Sequence, residues 1–430
     1  MDVGLIYPPS MFLDDPESQP PLGLMYIAAA LRCEGYNPVF HNWSNEKNWR
    51  NRLSEIKENV VGCYCVYPHF NWIKKLHTEL KKMNVDLMVG GPDPSGHPND
   101  YLDRADAIIK GEGEKAVLWA LHRLAGGFRQ EIFTFPPVED INGLPWPLRE
   151  WDGFDIRNFK QEFHGGLLTT AMFSRGCYAK CKFCNSKSVW GRKVRRRSPE
   201  DCAKETRYIR DAFGFTRFFP EDDSFNSDND WVFEFCNLIK NDDLQWRCLT
   251  RAKDLSVVVL DAMQKAGCRR VSIGVESGSP KVLRNICKGE TVEHQMRGIK
   301  LAKHVGLEVQ AFFILGLPGE DRESIKDMRK FLEEARPDFF NLTLLKVFPD
   351  SDIWVERDKL DIQILDYEPE AMFYAGGMPK SQVRTKSLSA EDLENAYREM
   401  YDYALSLGIK HSVGHFTEPF KYSEIKSTLE

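Results

Sequence analysis

The fold is decided by residues 174–185, Ser174-Arg175-Gly176-Cys177-Tyr178-Ala179-Lys180-Cys181-Lys182-Phe183-Cys184-Asn185. Three cysteines at C-x3-C-x2-C spacing follow directly on a predicted strand that ends at Met172-Phe173-Ser174. Thiolates are the preferred ligands of iron–sulfur clusters, and a four-iron cluster normally takes four of them. Three on one tight loop leave one iron without a protein ligand, open to a small molecule that can chelate it and accept an electron. Two plainer readings stand beside this one: a zinc site whose fourth ligand lies elsewhere, and three cysteines buried in a core. Zinc sites usually pair C-x2-C units, and no second such pair occurs in the chain.

Working outward from the loop, a βα rhythm runs from 167 to 350. Further strand ends fall at Arg217-Phe218-Phe219, Gln245-Trp246-Arg247, Arg270 to Ile273, Gln310 to Ile314 and Asn341 to Leu345. Helical patterns lie between them at 199–212, 230–240, 254–265, 280–286 with 292–304, and 322–335. Six repeats without closure to eight predict a partial (β/α)6 barrel. A small C-terminal extension, 351–430, carries one clear helix over 389–406. Upstream, residues 1–130 alternate five strands with helices, including a charged helix predicted over 48–59. That order means a Rossmann-like parallel sheet with helices on both faces. Residues 131–166, punctuated by Phe135-Pro136-Pro137 and Leu144-Pro145-Trp146-Pro147, read as a linker. The fold class is therefore α/β throughout.

Composition narrows the function classes. The chain has 430 residues, 58 basic against 64 acidic, for a net charge of −6, so a broad basic face for nucleic acid is not signalled. No apolar run of membrane-spanning length is present. The start, MDVGLIYPPS, reads as a strand and a turn rather than a signal peptide. Eleven cysteines without a secretion signal point to reduced thiols and a cytoplasmic location.

With its aromatic residue just before the third cysteine, the 174–185 loop resembles the signature of radical S-adenosylmethionine (SAM) enzymes. The resemblance extends over Phe219-Pro220-Glu221-Asp222-Asp223-Ser224-Phe225, Leu249-Thr250-Arg251-Ala252, Ser272 to Gly278 and Leu315-Gly316-Leu317-Pro318-Gly319-Glu320. It implies a [4Fe-4S] cluster on Cys177, Cys181 and Cys184. It also implies a SAM site drawn from Phe183, Asp222, Asp223, Arg251, Glu276, Ser277, Gly278, Leu315 and Gly316. By charge, Asp222 and Asp223 suit the SAM ammonium, Arg251 the carboxylate and Glu276 the ribose hydroxyls. Gly278 and Gly316 would let backbone approach the ligand. An external electron donor such as flavodoxin or ferredoxin is implied as partner, and no catalytic residue is assigned.

The first domain is similar to the cobalamin-binding domain fused ahead of many radical SAM enzymes. The resemblance rests on Pro21-Leu22-Gly23-Leu24, Gly90-Gly91-Pro92, Gly111-Glu112-Gly113-Glu114 and the Leu144 to Pro147 linker. It implies cobalamin contacts from Pro9, Leu22, Gly23, Gly90, Gly91, Gly111 and Glu112. The D-x-H-x-x-G motif, whose histidine ligates cobalt from below, is absent, and Asp93 stands where the common glycine-glycine-proline-histidine pattern has its histidine. A bound cobalamin and a scaffold that has lost it both stay open. The expected activity is cobalamin-dependent methylation of an unactivated carbon in a small metabolite or peptide. The alternatives are a cobalamin-independent dehydratase, epimerase, cyclase or oxidoreductase, and a non-enzymatic iron–sulfur protein.

Among weaker signals, Lys193, Arg195, Arg196 and Arg197 read as a solvated loop, or else as a grip on a substrate anion. Cys63 and Cys65 read as core residues. Residues 366–380, with aromatics and glycines, read as a cover for the barrel mouth or an ordinary turn.

Overall fold

A computed structural model describes residues 1–10, 12–13, 15–365, 369 and 379–411; most of 366–380 lies outside the described residues. The first sheet is parallel throughout. Its strands, Asp2–Tyr7, Asn37–Asn42, Val60–Tyr64, Asp86–Gly90, Ala107–Lys110 and Glu131–Thr134, lie in the order second, first, third, fourth, fifth, sixth. Strands such as Val60–Tyr64 are nearly all apolar and buried, as a sheet covered on both faces requires. One face packs on the helices Leu22–Cys33 and Gly113–Ala125, the other on Phe70–Lys82 and the fully buried Trp43, Trp49 and Trp72.

Two expectations change here. Glu131–Thr134, expected in the linker, pairs with Ala107–Lys110 as a sixth strand. The charged helix expected over 48–59 is a short 3-10 turn, Trp49–Glu55. Its polar side chains leave only Trp49 fully anchored in the core, and no side chain caps its start, so little holds a longer helix.

The second sheet carries six parallel strands in chain order: Gly166–Ala171, Arg217–Pro220, Gln245–Thr250, Cys268–Glu276, Glu308–Leu315 and Phe339–Leu344. Gln161–Phe163 pairs antiparallel on one edge and Lys410–His411 parallel on the other. The two edges do not meet, so the sheet is an open, curled half-barrel. Strand alternation sends Phe218, Trp246 and Cys248 outward into the helix-covered core, while Phe219, Arg247 and Leu249 stay half-buried on the inner face. Outer helices start on side-chain caps: Ser198 accepts from the Asp201 N–H, Asp228 from Trp231 and Ser256 from Val259. Such caps satisfy N–H groups that the helix itself cannot.

The connection between sheets is tied to both. Trp151 and Phe154 pack on Phe40 of the first sheet, and Trp146 donates to Asp201 of the barrel at 3.1 Å. The C-terminal helix, Ala390–Ser406, covers the last parallel barrel strand. Among the described residues no helix is long and apolar enough to cross a membrane.

Candidate functional site

The cysteine loop is fixed before any ligand is considered. Gly176, at φ +94°, lies so close to Lys193 that a Cβ would collide with the Lys193 carbonyl. Downstream, the Lys182 N–H donates to the Ile286 carbonyl at 3.0 Å, and the Ile353 N–H donates to the Lys182 carbonyl at 3.0 Å. Cys177, Cys181 and Cys184 line one cavity at the carboxyl ends of the barrel strands. Burial pushes the Cys177 thiol above its ordinary range and the Cys184 thiol up to about 12; iron ligation would deprotonate both. Among the described residues, no three His, Cys, Asp or Glu side chains converge as ligands of a single metal ion. The zinc reading therefore gains no fourth ligand among the described residues.

Phe183, Asp223, Arg251 and Glu276 line the same cavity. Asp223 accepts from the Ser186 hydroxyl. Arg251 donates to the Lys288 carbonyl at 2.6 Å, and the Lys288 ammonium donates to Glu276 at 2.8 Å. Against the downward pull of burial, the Glu276 carboxylate holds that ammonium above its ordinary range. Glu276 has φ +63°, a left-handed conformation unfavourable for a glutamate, of the kind that clusters at functional sites. Lys288 was not anticipated from the sequence. The signal available was a buried strand-end glutamate that needed a counter-ion.

The other expected SAM residues are placed differently. Asp222, fully buried, accepts from the Phe173 N–H at 2.8 Å and the Ser174 hydroxyl at 2.6 Å. It braces the strand that launches the cysteine loop and does not line the cavity. Ser277 is buried and its hydroxyl accepts from the Ser279 N–H. Gly278 sits under the helix Arg322–Ala335, where a Cβ would lie 2.6 Å from the Asp327 carbonyl. Leu315 is core, and Gly316 at φ +92° faces Val383 and Leu393. These four serve close packing of strand ends against helices.

A second cavity lies between the two sheets. Leu22, Gly23, Gly90, Gly91, Gly111 and Glu112 line its N-terminal wall with Cys63 and Tyr64, and Met172, Arg175, Trp190 and Glu221 close it from the barrel. Pro9 is buried beside it but does not line it. Gly91 at φ +114° would bring a Cβ to 2.7 Å from the Cys65 carbonyl, so the backbone itself forms the wall. Among the described residues no histidine lines this cavity. His69 accepts from the Val66 N–H through Nδ1 at 3.2 Å, and its Nε2 lies 3.4 Å from Ser10 Oγ.

Of the basic run, Lys193 is exposed and pairs with Glu139, whereas the three arginines are neither solvated nor free for an anion. Arg195 and Arg197 are buried. Arg195 pairs with Glu112, and Arg197 pairs with Glu205 and Asp201. Arg196 donates to the carbonyls of Ser224 and Phe225. Arg175 lies 2.9 Å from Glu112, pairs also with Glu114, and stacks on Tyr26 and Trp190. Arg175 and Arg195 thus clamp the cysteine loop onto the first domain, while Arg196 and Arg197 tie the following segment to the barrel.

A parallel α/β domain joined to a half-barrel with a three-cysteine loop defines an enzyme class, and sequence comparison agrees. Residues 172–332 match the radical SAM superfamily and residues 16–119 match the B12 binding domain. The chain thus carries a B12 binding domain ahead of a radical SAM domain. It is 26% identical over 363 residues to an uncharacterized methyltransferase of Pyrococcus horikoshii, covering 78% of each chain. It is also 26% identical over 385 residues to the anaerobic magnesium-protoporphyrin IX monomethyl ester cyclase of Rubrivivax gelatinosus, covering 81% of this chain and 68% of the other. Among solved structures it shares the fold of the radical SAM methyltransferase TsrM from Kitasatospora setae, solved with cobalamin and a [4Fe-4S] cluster. The TM-score is 0.67 at 16% identity, over 87% of this chain and 82% of that one.

Proposed function

We propose that the enzyme is a cobalamin-dependent radical SAM methyltransferase acting on an unactivated carbon of a small metabolite or peptide side chain. The observation that carries this reading is the adjacency of the two cavities. Arg175 and Glu221 line the inter-domain cavity, whereas Cys177 and Asp223, two residues further along the same strand ends, line the cluster cavity. A substrate held at that border reaches both.

In this reading Cys177, Cys181 and Cys184 hold a [4Fe-4S] cluster. Asp223 takes the SAM ammonium, Arg251 the carboxylate, and Glu276, oriented by Lys288, the ribose. The glycine wall and Leu22 take the face of cobalamin. When bound, these groups supply one-electron SAM cleavage to a 5′-deoxyadenosyl radical and a carrier for the methyl group. Phe183 and Trp190 shield the border from water, and the arginine clamp keeps the two walls in register. The electron comes from an external one-electron carrier such as flavodoxin or ferredoxin.

The test is anaerobic reconstitution with iron, sulfide and hydroxocobalamin, followed by turnover with methyl-labelled SAM. Methyl transfer predicts corrin bands in the absorption spectrum and formation of both 5′-deoxyadenosine and S-adenosylhomocysteine. Corrin uptake with 5′-deoxyadenosine alone would instead favour a rearrangement or cyclisation, the kind of activity named for the Rubrivivax relative.

A further inference from the structure

The inter-domain cavity is mostly apolar, and three carboxylates line it: Glu112, Glu114 and Glu221. Two are matched by arginines, Glu112 by Arg175 and Arg195, and Glu114 by Arg175. Glu221 is not. No lysine, arginine or histidine among the described residues lies within ion-pair distance of it, although Arg149 and Arg247 are close enough for their charges to be felt. Arg149 is already paired with Glu205 at 2.8 Å. Arg247 is turned to Gln161, to which it donates at 3.0 Å.

Position makes this carboxylate consequential. Strand alternation places Pro220 and Asp222 in the buried outer layer and leaves Glu221 on the inner face. The Glu221 N–H donates to the Ala171 carbonyl at 2.8 Å, so the backbone that carries it is fixed to the strand before the cysteine loop. Glu221 therefore stands on the barrel wall where the two cavities meet. An unmatched carboxylate in an apolar cavity is costly unless a ligand brings the counter-charge. Burial accordingly pushes the Glu221 carboxyl up to about 7.

We propose that Glu221 is the specificity-determining residue of the site and selects substrates that carry a basic nitrogen near the carbon to be modified. This rests on the methyltransferase reading above, because it places substrate at the border of the two cavities. Thr170 already offers Glu221 a hydrogen bond, and an ammonium or protonated amine supplies the counter-charge that it lacks. An anionic substrate of the same shape meets an uncompensated carboxylate and is rejected.

Two probes of matched skeleton and opposite charge, phenethylamine and 3-phenylpropionate, test this on the full chain loaded with iron–sulfur cluster, hydroxocobalamin and SAM at pH 8. Calorimetry should give phenethylamine an advantage of about tenfold, as expected for one matched charge pair in a partly desolvated site. Glu221→Gln should abolish the preference while iron and corrin content stay at the wild-type level, and Glu221→Asp should retain part of it. Equal binding of the probes to wild type, or a preference that survives in Glu221→Gln, overturns the proposal. So does loss of corrin from Glu221→Gln, which would assign the carboxylate to the cofactor. Wild-type protein that takes up no corrin and cleaves no SAM fails earlier, on the function reading, before either probe is added.

Discussion

The two cavities use the same scaffold, the carboxyl ends of parallel strands, and fill it in opposite ways. The cluster cavity is built from side chains that engage one another: Arg251 on the Lys288 carbonyl, Lys288 on Glu276, Ser186 on Asp223. The inter-domain cavity is built by removing side chains, with Gly23, Gly90, Gly91 and Gly111 exposing backbone to the space. One is suited to a small, highly charged ligand whose every group needs a partner. The other is suited to the broad face of a large ligand, for which close backbone approach matters more than charge. Substitutions should therefore act on charge and ligation in the first and on shape in the second.

The largest separation comes from Cys181→Ala. With two thiolates left, the cluster loses an anchor, and SAM cleavage should fall by at least about a thousandfold. Corrin uptake should persist, because no cysteine of the loop lines the inter-domain cavity. Iron analysis and electron paramagnetic resonance, alongside corrin absorbance, read the two sites separately. A variant that keeps its iron and cleaves SAM would overturn the ligand assignment. Next in size is Arg175→Met, which leaves Glu112 and Glu114 short of their buried counter-ion. A broken buried pair of this kind costs about 3–5 kcal/mol, so denaturant midpoints should drop markedly. Adding Glu114→Gln should return part of the loss. If Arg175→Met alone unfolds like wild type, the clamp between the domains carries little.

The same contrast explains what was legible in the sequence. Side-chain chemistry at fixed spacing was readable, and the three cysteines, Asp223, Arg251 and Glu276 line one cavity on the barrel face. The six barrel strands were readable too, from short apolar runs ending in charged or glycine residues. Lys288 was not, because its significance comes from Glu276 across a loop. Asp222 illustrates a different limit: two adjacent aspartates just past a strand end face different sides, and only the fold decides which one reaches the cavity. The run Arg195 to Arg197 looked like a solvated patch because Glu112, the partner of Arg195, belongs to an element far away in sequence, and because Asp201 and Glu205 meet Arg197 only once the helix Pro199–Phe213 is in place. Gly278 and Gly316 had the composition of ligand-approach glycines, yet a Cβ on Gly278 would meet the helix at Asp327 and one on Gly316 would meet Val383.

Neighbouring glycines sharpen the shape argument. Gly91→Ala places a Cβ 2.7 Å from the Cys65 carbonyl at φ +114°, a combination that costs about 1–3 kcal/mol from backbone strain alone. It should lower the melting temperature and weaken corrin uptake. At Gly90 the added methyl meets Ile109 at 3.5 Å, an ordinary contact, so Gly90→Ala should be nearly silent in stability. Equal effects at the two positions would mean that the wall tolerates reshaping.

The smallest expected effect concerns cobalt itself. If the inter-domain wall works by shape, no protein imidazole should reach the metal from below. His69 is the histidine on the segment that follows the third strand, Val60–Tyr64, so it is the one to test. Its ring is buried against Phe12 and Trp72, and burial lowers its pKa to about 3, so it is neutral at any working pH. Nδ1 is already occupied by the Val66 N–H, and Nε2 is directed toward Ser10. Turning either nitrogen toward the cavity would break a buried hydrogen bond at a cost of about 1–3 kcal/mol. The reduced, corrin-loaded protein should therefore show a cobalt paramagnetic resonance spectrum without nitrogen splitting from histidine. Nitrogen-15 labelling of histidine should leave that spectrum unchanged, and His69→Gln should leave it unchanged as well. A labelled-histidine splitting in wild type would mean that the first domain rearranges around the corrin, and that its wall is set by ligation as the cluster cavity is.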